Sequence, residues 1–221
     1  MKDIKGDQLI KQYGEGDAMV TAVRHASFEI AAGEFVAIVG ESGSGKSTLL
    51  SMVGALNTPT SGRLTVDNID VYGLGQDERA DFRRETLGFV FQSFHLIPYL
   101  TLAENVMLPL ATRKEAKKEK RSAALHALDR VGLSGKGERL PNQISGGEQE
   151  RVAIARAIVN RPAILLADEP TGNLDSRTGK EIMELIEEFN SSGGTVVMVT
   201  HNSEYTAYAG RVLKVVDGVI A

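Results

Sequence analysis

GESGSGKST, residues 40–48, sets a lysine directly behind a glycine-rich turn. Gly45 follows Gly40 after four intervening residues, and Lys46 with Ser47 completes the spacing G-x-x-x-x-G-K-[ST], a loop whose backbone N–H groups can cradle phosphates. The pattern carries chemistry only where a strand feeds the loop and a helix leaves it. EFVAIVG at 34–40 precedes it, a β-branched apolar run suited to a strand buried on both faces, and KSTLLSMVGAL at 46–56 follows with helical spacing. The stretch reads as a nucleotide site at a strand-to-helix turn.

Outward from that turn the chain alternates. Residues 8 to about 72 run through short β-rich segments, QLIKQY, AVRHASFEI, EFVAIVG and SGRLTVDNIDVYG, with one helix after Lys46. From about 95 to 160 the text is helical: LTLAENVMLPLA, KEAKKEKRSAALHALDRVGL and SGGEQERVAIARAIVN. Strands resume with AILLADEP and GTVVMVTH, separated by a helix whose Ile182, Leu185, Ile186 and Phe189 share one face and which stops at Gly193 and Gly194. Alternating strands and helices around apolar runs predict an α/β fold with a mostly parallel sheet covered on both faces, and a helical subdomain set into it.

With 221 residues, 42% of them hydrophobic, the chain can bury a sizeable core as one unit. Its net charge of −4 supplies no global basic field for nucleic acid, and no nucleic-acid partner is expected. The absence of cysteine excludes disulfides and thiolate metal sites. MKDIKGDQLIKQYGEGD at the N-terminus has no apolar core of a signal peptide, and no run approaches the roughly 18 apolar residues of a membrane span. RKEAKKEKR at 113–121 reads as a solvated helix face.

A phosphate loop needs a magnesium ligand and a group to handle the attacking water. AILLADEPTGNLD at 163–175 offers both: Asp168 closes a buried-strand pattern where a carboxylate can hold Mg²⁺ opposite the Ser47 hydroxyl, and Glu169 is placed to orient or deprotonate water. In ISGGEQERVAIARA at 144–157, Ser145 and Glu148 have the spacing of a capping box. Gly146 and Gly147 lower helix propensity in that first turn, which a cap alone does not require. They suit a helix N-terminus that something anionic approaches closely.

These motifs, in this order, resemble the ATP-binding-cassette ATPases over essentially residues 7 to 220. The resemblance implies a P-loop core (about 1–94 and 160–221) with an N-terminal antiparallel β subdomain, and a helical subdomain at about 95–159, all in one domain spanning 1–221. It implies ATP and Mg²⁺ as cofactors. Gly40, Ser42, Gly43, Ser44, Gly45, Lys46, Ser47 and Thr48 would form the phosphate loop, with Ser47, Gln92 and Asp168 around the metal. Tyr13, in KQYG, matches the aromatic that stacks on adenine. Gln92, in FVFQSFHL, matches the Q-loop residue that reaches Mg²⁺ or the attacking water. His201, ending VVMVTH, matches the switch histidine at the γ-phosphate. ISGGE resembles the signature LSGGQ, so Ser145, Gly146 and Gly147 would cover ATP held by a second protomer, and Asp175 matches the D-loop at that dimer interface. Lys46, Gln92, Glu169 and His201 would carry catalysis. His25, His95 and His126 show no ligand spacing.

Within the family, YGEGDAMVTAVRHASFEI, ENVMLPL and LADEPTGNLDS are similar to the group of lipoprotein-release, macrolide-efflux, antimicrobial-peptide-resistance and cell-division ATPases. That similarity implies a peripheral subunit on the cytoplasmic face of the inner membrane, working as a head-to-tail dimer with integral membrane permease subunits. Export or extraction of a lipophilic or peptide-like substrate is the implied role. An envelope-remodelling ATPase without transport is the alternative, and a soluble ATPase acting on DNA or ribosomes a remote one. Two departures stand out: ISGGEQE replaces the usual LSGGQQQ, and Asn202 follows His201 where the family commonly has Asp.

Overall fold

The computed structural model describes residues 2–221. Strands β1 (Ile4–Tyr13), β2 (Val20–Ile30), β4 (Ser61–Val66) and β5 (Ile69–Asp70) form a four-stranded sheet in the order β2-β1-β4-β5, antiparallel throughout. The second sheet has six strands in the order β10-β9-β3-β8-β7-β6. Its members are β3 (Phe35–Val39), β6 (Leu87–Val90), β7 (Ile164–Asp168), β8 (Thr195–Val199), β9 (Arg211–Val216) and β10 (Val219–Ile220). Only β10 runs antiparallel to its neighbour. The unbroken apolar runs of β3, β7 and β8 are explained by burial on both faces: every residue from Thr195 to Val199 is buried.

Helix α1 (Lys46–Val53) lies between the sheets. Leu49, Met52 and Val53 pack there with Ile4, Leu64 and Val66 from the antiparallel sheet and Val36, Ile38 and Val197 from the parallel one. A second core covers the opposite face of the parallel sheet, formed by α3 (Leu102–Met107), α4 (Lys117–Arg130), α5 (Gly146–Ile158) and α6 (Ser176–Ser191). Asn105, fully buried in α3, fastens the chain ahead of that helix. Its Nδ2 donates to the carbonyls of Ile97, Leu100 and Thr101, and its Oδ1 accepts from Ile97 N–H at 2.7 Å.

Strands β9 and β10, like the next two elements, have no counterpart in the sequence reading. Helix α2 (Gln76–Thr86) buries only Phe82 and Thr86, so QDERADFRRET shows no apolar stripe. Strand β6 is four residues long and contains Gly88, where a Cβ would come 2.5 Å from the Ala157 carbonyl oxygen of α5. The glycine allows the helix backbone to close on the sheet edge.

Register decides where the site forms. Ile38 of β3 and Asp168 of β7 both align with Val199 of β8, and Val90 of β6 aligns with Ala167. Four parallel strands therefore end at one edge, delivering Gly40, Gln92, Glu169 and His201 to neighbouring loops. Carboxyl ends of parallel strands are where open α/β sheets bind ligands.

Candidate active site

The loop after β3 enters α1 through Gly45 at φ +101°, where a Cβ would lie 2.1 Å from the Ala22 carbonyl oxygen. Only glycine fits that left-handed, crowded position. At Gly40 a Cβ would meet the Val215 carbonyl oxygen at 2.2 Å, whereas at Gly43 it would meet nothing within 4 Å. Gly40 and Gly45 let the loop turn against its own protein, and Gly43 faces open space. Ser42, Gly43 and Ser44 line a cleft of about 670 Å³ with His201 and Lys214.

Lys46 is buried and its Nζ donates to the Glu41 carbonyl across the loop at 2.7 Å. Ser44 Oγ is buried without a partner among the described residues. Ser47 Oγ donates to Asp168 Oδ1 at 3.0 Å. Burial pushes the Asp168 carboxyl above its ordinary range, a rise that the Ser47 hydrogen bond only partly offsets. A partly buried acid beside a hydroxyl, with a lysine and an orphan serine on the adjoining loop, fits a Mg²⁺-bound polyphosphate: oxygen ligands for the hard cation and donors for the phosphates. Thr48 lies in the first turn of α1, half-buried.

Glu169 follows Asp168 with φ +49°, a conformation that costs a non-glycine residue energy and needs its surroundings to hold it. Its Oε2 is the meeting point of the site: Gln92 Nε2 donates to it at 3.3 Å, and His201 Nδ1 lies 3.1 Å away. Glu169 is mostly buried while His201 is 63% exposed, so the pair forms the wall between sheet edge and solvent. Asn173 Nδ2 donates to the Gln92 carbonyl at 2.8 Å, fixing the Q loop to the segment after β7. Sequence reading passed over Asn173, although an Asn inside GNLD is a signal for side-chain to backbone bonding.

Tyr13 stands at the end of β1, 44% exposed. Asn57 Nδ2 donates to its hydroxyl, and Lys11 Nζ sits 5.1 Å from the ring centroid. Asn202 Oδ1 accepts from Glu204 N–H at 2.9 Å and so caps the short turn 203–208; the Asn supplies the acceptor that an Asp there would.

Signature and D-loop residues lie away from this cluster. Ser145 caps α5: its Oγ accepts from Glu148 N–H at 3.3 Å while Glu148 Oε2 accepts from Ser145 N–H at 2.9 Å. Lys136 pairs with the same carboxylate and, with these bonds, holds Glu148 down at about 2. The two glycines separate in role. A Cβ on Gly147 would strike Thr178 Cγ2 of α6 at 2.3 Å, so packing inside this chain explains that glycine. A Cβ on exposed Gly146 would meet nothing closer than Phe94 Cζ at 3.8 Å. Asp175 caps α6, accepting from Arg177 N–H and Thr178 N–H, each at 3.1 Å, and from Thr178 Oγ1 at 2.7 Å; these bonds hold its carboxyl below the usual range. His25 Nδ1 pairs with Gln8 Oε1, His95 packs edge-on against Phe91, and His126 is exposed on α4.

The family description "ABC transporter" matches residues 23–172, more than half of the chain. The chain belongs to the ABC transporter family. It is an ATP-binding, ATP-hydrolysing cassette of that family. The uncharacterized ABC transporter ATP-binding protein MJ1508 of Methanocaldococcus jannaschii is 45% identical over 98% of the cassette and 97% of the relative. The macrolide export ATP-binding/permease protein MacB of Burkholderia pseudomallei is 44% identical over 96% of the cassette, which spans about a third (33%) of that longer chain. The dimeric structure of the cassette MJ0796 in a post-hydrolysis state with ADP and Pi superimposes with a TM-score of 0.91. It is 44% identical, covering 98% of this chain and 96% of that one. These matches agree with the lipoprotein-release and macrolide-efflux grouping. The solved cassettes also share the α/β architecture with an antiparallel β subdomain. Among the described residues no helix is long and apolar enough to cross a membrane.

Proposed function

We propose that this ATPase cassette closes head to tail with a second copy over two ATP molecules and passes that motion to membrane permease subunits that export or extract a lipophilic or peptide-like substrate. The observation that carries the hydrolytic part is the convergence of Gln92 and His201 on one oxygen of Glu169, within 3.3 Å and 3.1 Å. Phosphoryl transfer to water needs positioned charge more than covalent help from the protein.

In this reading Lys46 leaves the Glu41 carbonyl for the β- and γ-phosphates, and the loop N–H groups and Ser44 Oγ hold the remaining phosphate oxygens. Ser47 and Asp168 hold Mg²⁺, with Gln92 reaching toward it from the Q loop. Held by these residues, the ion would supply positive charge against the negative charge that develops in transfer. Glu169 Oε2 orients the attacking water and takes its proton, while Gln92 and His201 keep that carboxylate aimed. Tyr13 offers its ring to adenine. Gly146, unexplained by packing within the chain, leaves the first turn of α5 bare for the partner protomer's ATP, with Ser145 and Gly147 beside it and Asp175 near the same interface.

Support for export comes from similarity to MacB, a macrolide export ATP-binding/permease protein. A groove beside the Q loop, lined by Leu87, Phe89, Phe91, Arg83 and Arg156, offers the permease a surface on the cytoplasmic face of the inner membrane. The test is capture of partners by tagged Glu169→Gln cassette with ATP in its native cells, after mild detergent. Recovery of an integral membrane protein with a large extracytoplasmic domain is expected. Recovery of ribosomal or DNA-bound proteins with no membrane protein would overturn the transport reading.

A further inference from the structure

Two ionisable residues of α5 have no part in the hydrolysis just described. Arg156 Nη1 donates to the His95 carbonyl at 2.6 Å and Nη2 to the Phe94 carbonyl at 2.7 Å. No carboxylate among the described residues lies within ion-pair distance of it. Its charge is thus satisfied by two backbone oxygens of the segment that follows Gln92. Glu150, 1% exposed, has an Oε1 with no hydrogen-bond partner among the described residues. It stands one turn after Gly146, whose nearest outside neighbour is the Phe94 ring, so the acid lies on the α5 face that meets this same segment.

The surroundings of Glu150 leave one ion to act on it. Strand β6 and the turn 108–110 carry no ionisable side chain, and α4 meets α5 through Ala124, Ala127 and Leu128. Glu104 of α3 is used in its own capping box with Thr101, and Glu181 of α6 is paired with Arg151. His95, on the segment itself, packs against Phe91. Burial pushes the Glu150 carboxyl up to about 8, with only Arg156 opposing. Glu150 is also one of the positions where ISGGEQE departs from LSGGQQQ.

We propose that Arg156 is a two-position latch on the Q loop, bonded to the Phe94 and His95 carbonyls when Glu150 is protonated and drawn back to Glu150 when that acid ionises. The device gives the Q loop, and through it the placement of Gln92, a dependence on pH and on whatever moves the loop. It rests on the reading of Gln92 as a residue that keeps the Glu169 carboxylate aimed at the water. The sign follows from the proton. The latched form holds it more tightly than the released form, so rising pH favours release, by up to about tenfold per unit until the latched form itself ionises.

Hydrogen exchange of peptides covering residues 93–97 tests this in nucleotide-free protein, with rates corrected for intrinsic chemistry. In the wild-type cassette, protection is expected to fall at least about tenfold between pH 6.5 and 8.5. In Glu150→Gln it should stay flat. Arg156→Lys, which keeps the charge but loses the fork, should show low protection at every pH. A flat wild-type profile, or the same slope in Glu150→Gln, overturns the latch. During turnover the wild-type kcat should decline above about pH 8 relative to Glu150→Gln with KM for ATP unchanged. If Gln92→Ala leaves kcat unaltered, the role of Gln92 fails instead, and the exchange data still decide the latch.

Discussion

Gly146→Ala separates what the cassette needs alone from what it needs in a dimer. Gly146 has no left-handed φ, and the added Cβ would meet only Phe94 Cζ at the ordinary contact distance of 3.8 Å. Alanine in place of glycine in the first turn of α5 should stabilise the chain by about 0.5–1 kcal/mol. For a chain of this size that raises Tm by roughly 1–4 °C, measured by calorimetry without nucleotide. The same methyl would stand where the partner's ATP is proposed to touch the helix N-terminus. Loss of one charge-assisted bond there, about 1.5–3 kcal/mol, corresponds to roughly a 10- to 150-fold fall in ATPase rate. A variant that is more stable and nearly inactive is therefore expected. Unchanged turnover would refute the idea that anything approaches α5 at this point. Gly147→Ala cannot substitute as the test, because its Cβ would collide with Thr178 and damage the monomer as well.

Asn105→Ala should destabilise the cassette by about 3 kcal/mol, since it strands the buried Ile97 N–H and up to three carbonyls; a urea-unfolding loss under about 1 kcal/mol would contradict the role given to it. Glu148 is held at about 2 by Lys136 and Ser145, so its contribution is complete above the ordinary glutamate range near 4.5 and is lost as pH falls toward about 2. Glu148→Gln should accordingly narrow its Tm deficit against wild type as the pH is taken from 6 to 3, and a deficit independent of pH would show that the ionised pair contributes nothing. Gly45→Ala forces a Cβ within 2.1 Å of the Ala22 carbonyl at φ +101° and should lower Tm and nucleotide affinity together in titration with a fluorescent ATP analogue; wild-type affinity would mean that the loop tolerates a rearrangement the packing does not suggest.

Parallel strands β3, β7 and β8 were legible because burial on both faces leaves an unbroken apolar run, and the phosphate loop because its spacing is fixed by backbone geometry. Helix α2 was not, since its single apolar contact through Phe82 writes no period into the sequence. The candidate site was legible as motifs but not as contacts. No spacing says that Gln92 and His201, 109 positions apart (201 − 92), share one oxygen of Glu169; that follows from β6, β7 and β8 ending at a common edge. Nor does the sequence show the left-handed Glu169, which only the surrounding structure holds. The glycine pair in ISGGE reads as one signal, yet Gly147 is needed against Thr178 and only Gly146 remains for a partner. Asn202 looks like a departure in sequence and behaves as an equivalent cap in structure.

The most direct test of the account is the solution mass of Glu169→Gln in the presence of Mg-ATP, measured by sedimentation or light scattering beside its ATPase rate. A chain that binds ATP, hydrolyses it at least about 100-fold more slowly than wild type, and doubles its mass with ATP but not with ADP is what the account predicts. A variant that turns over ATP at the wild-type rate, or stays monomeric with ATP bound, would contradict it.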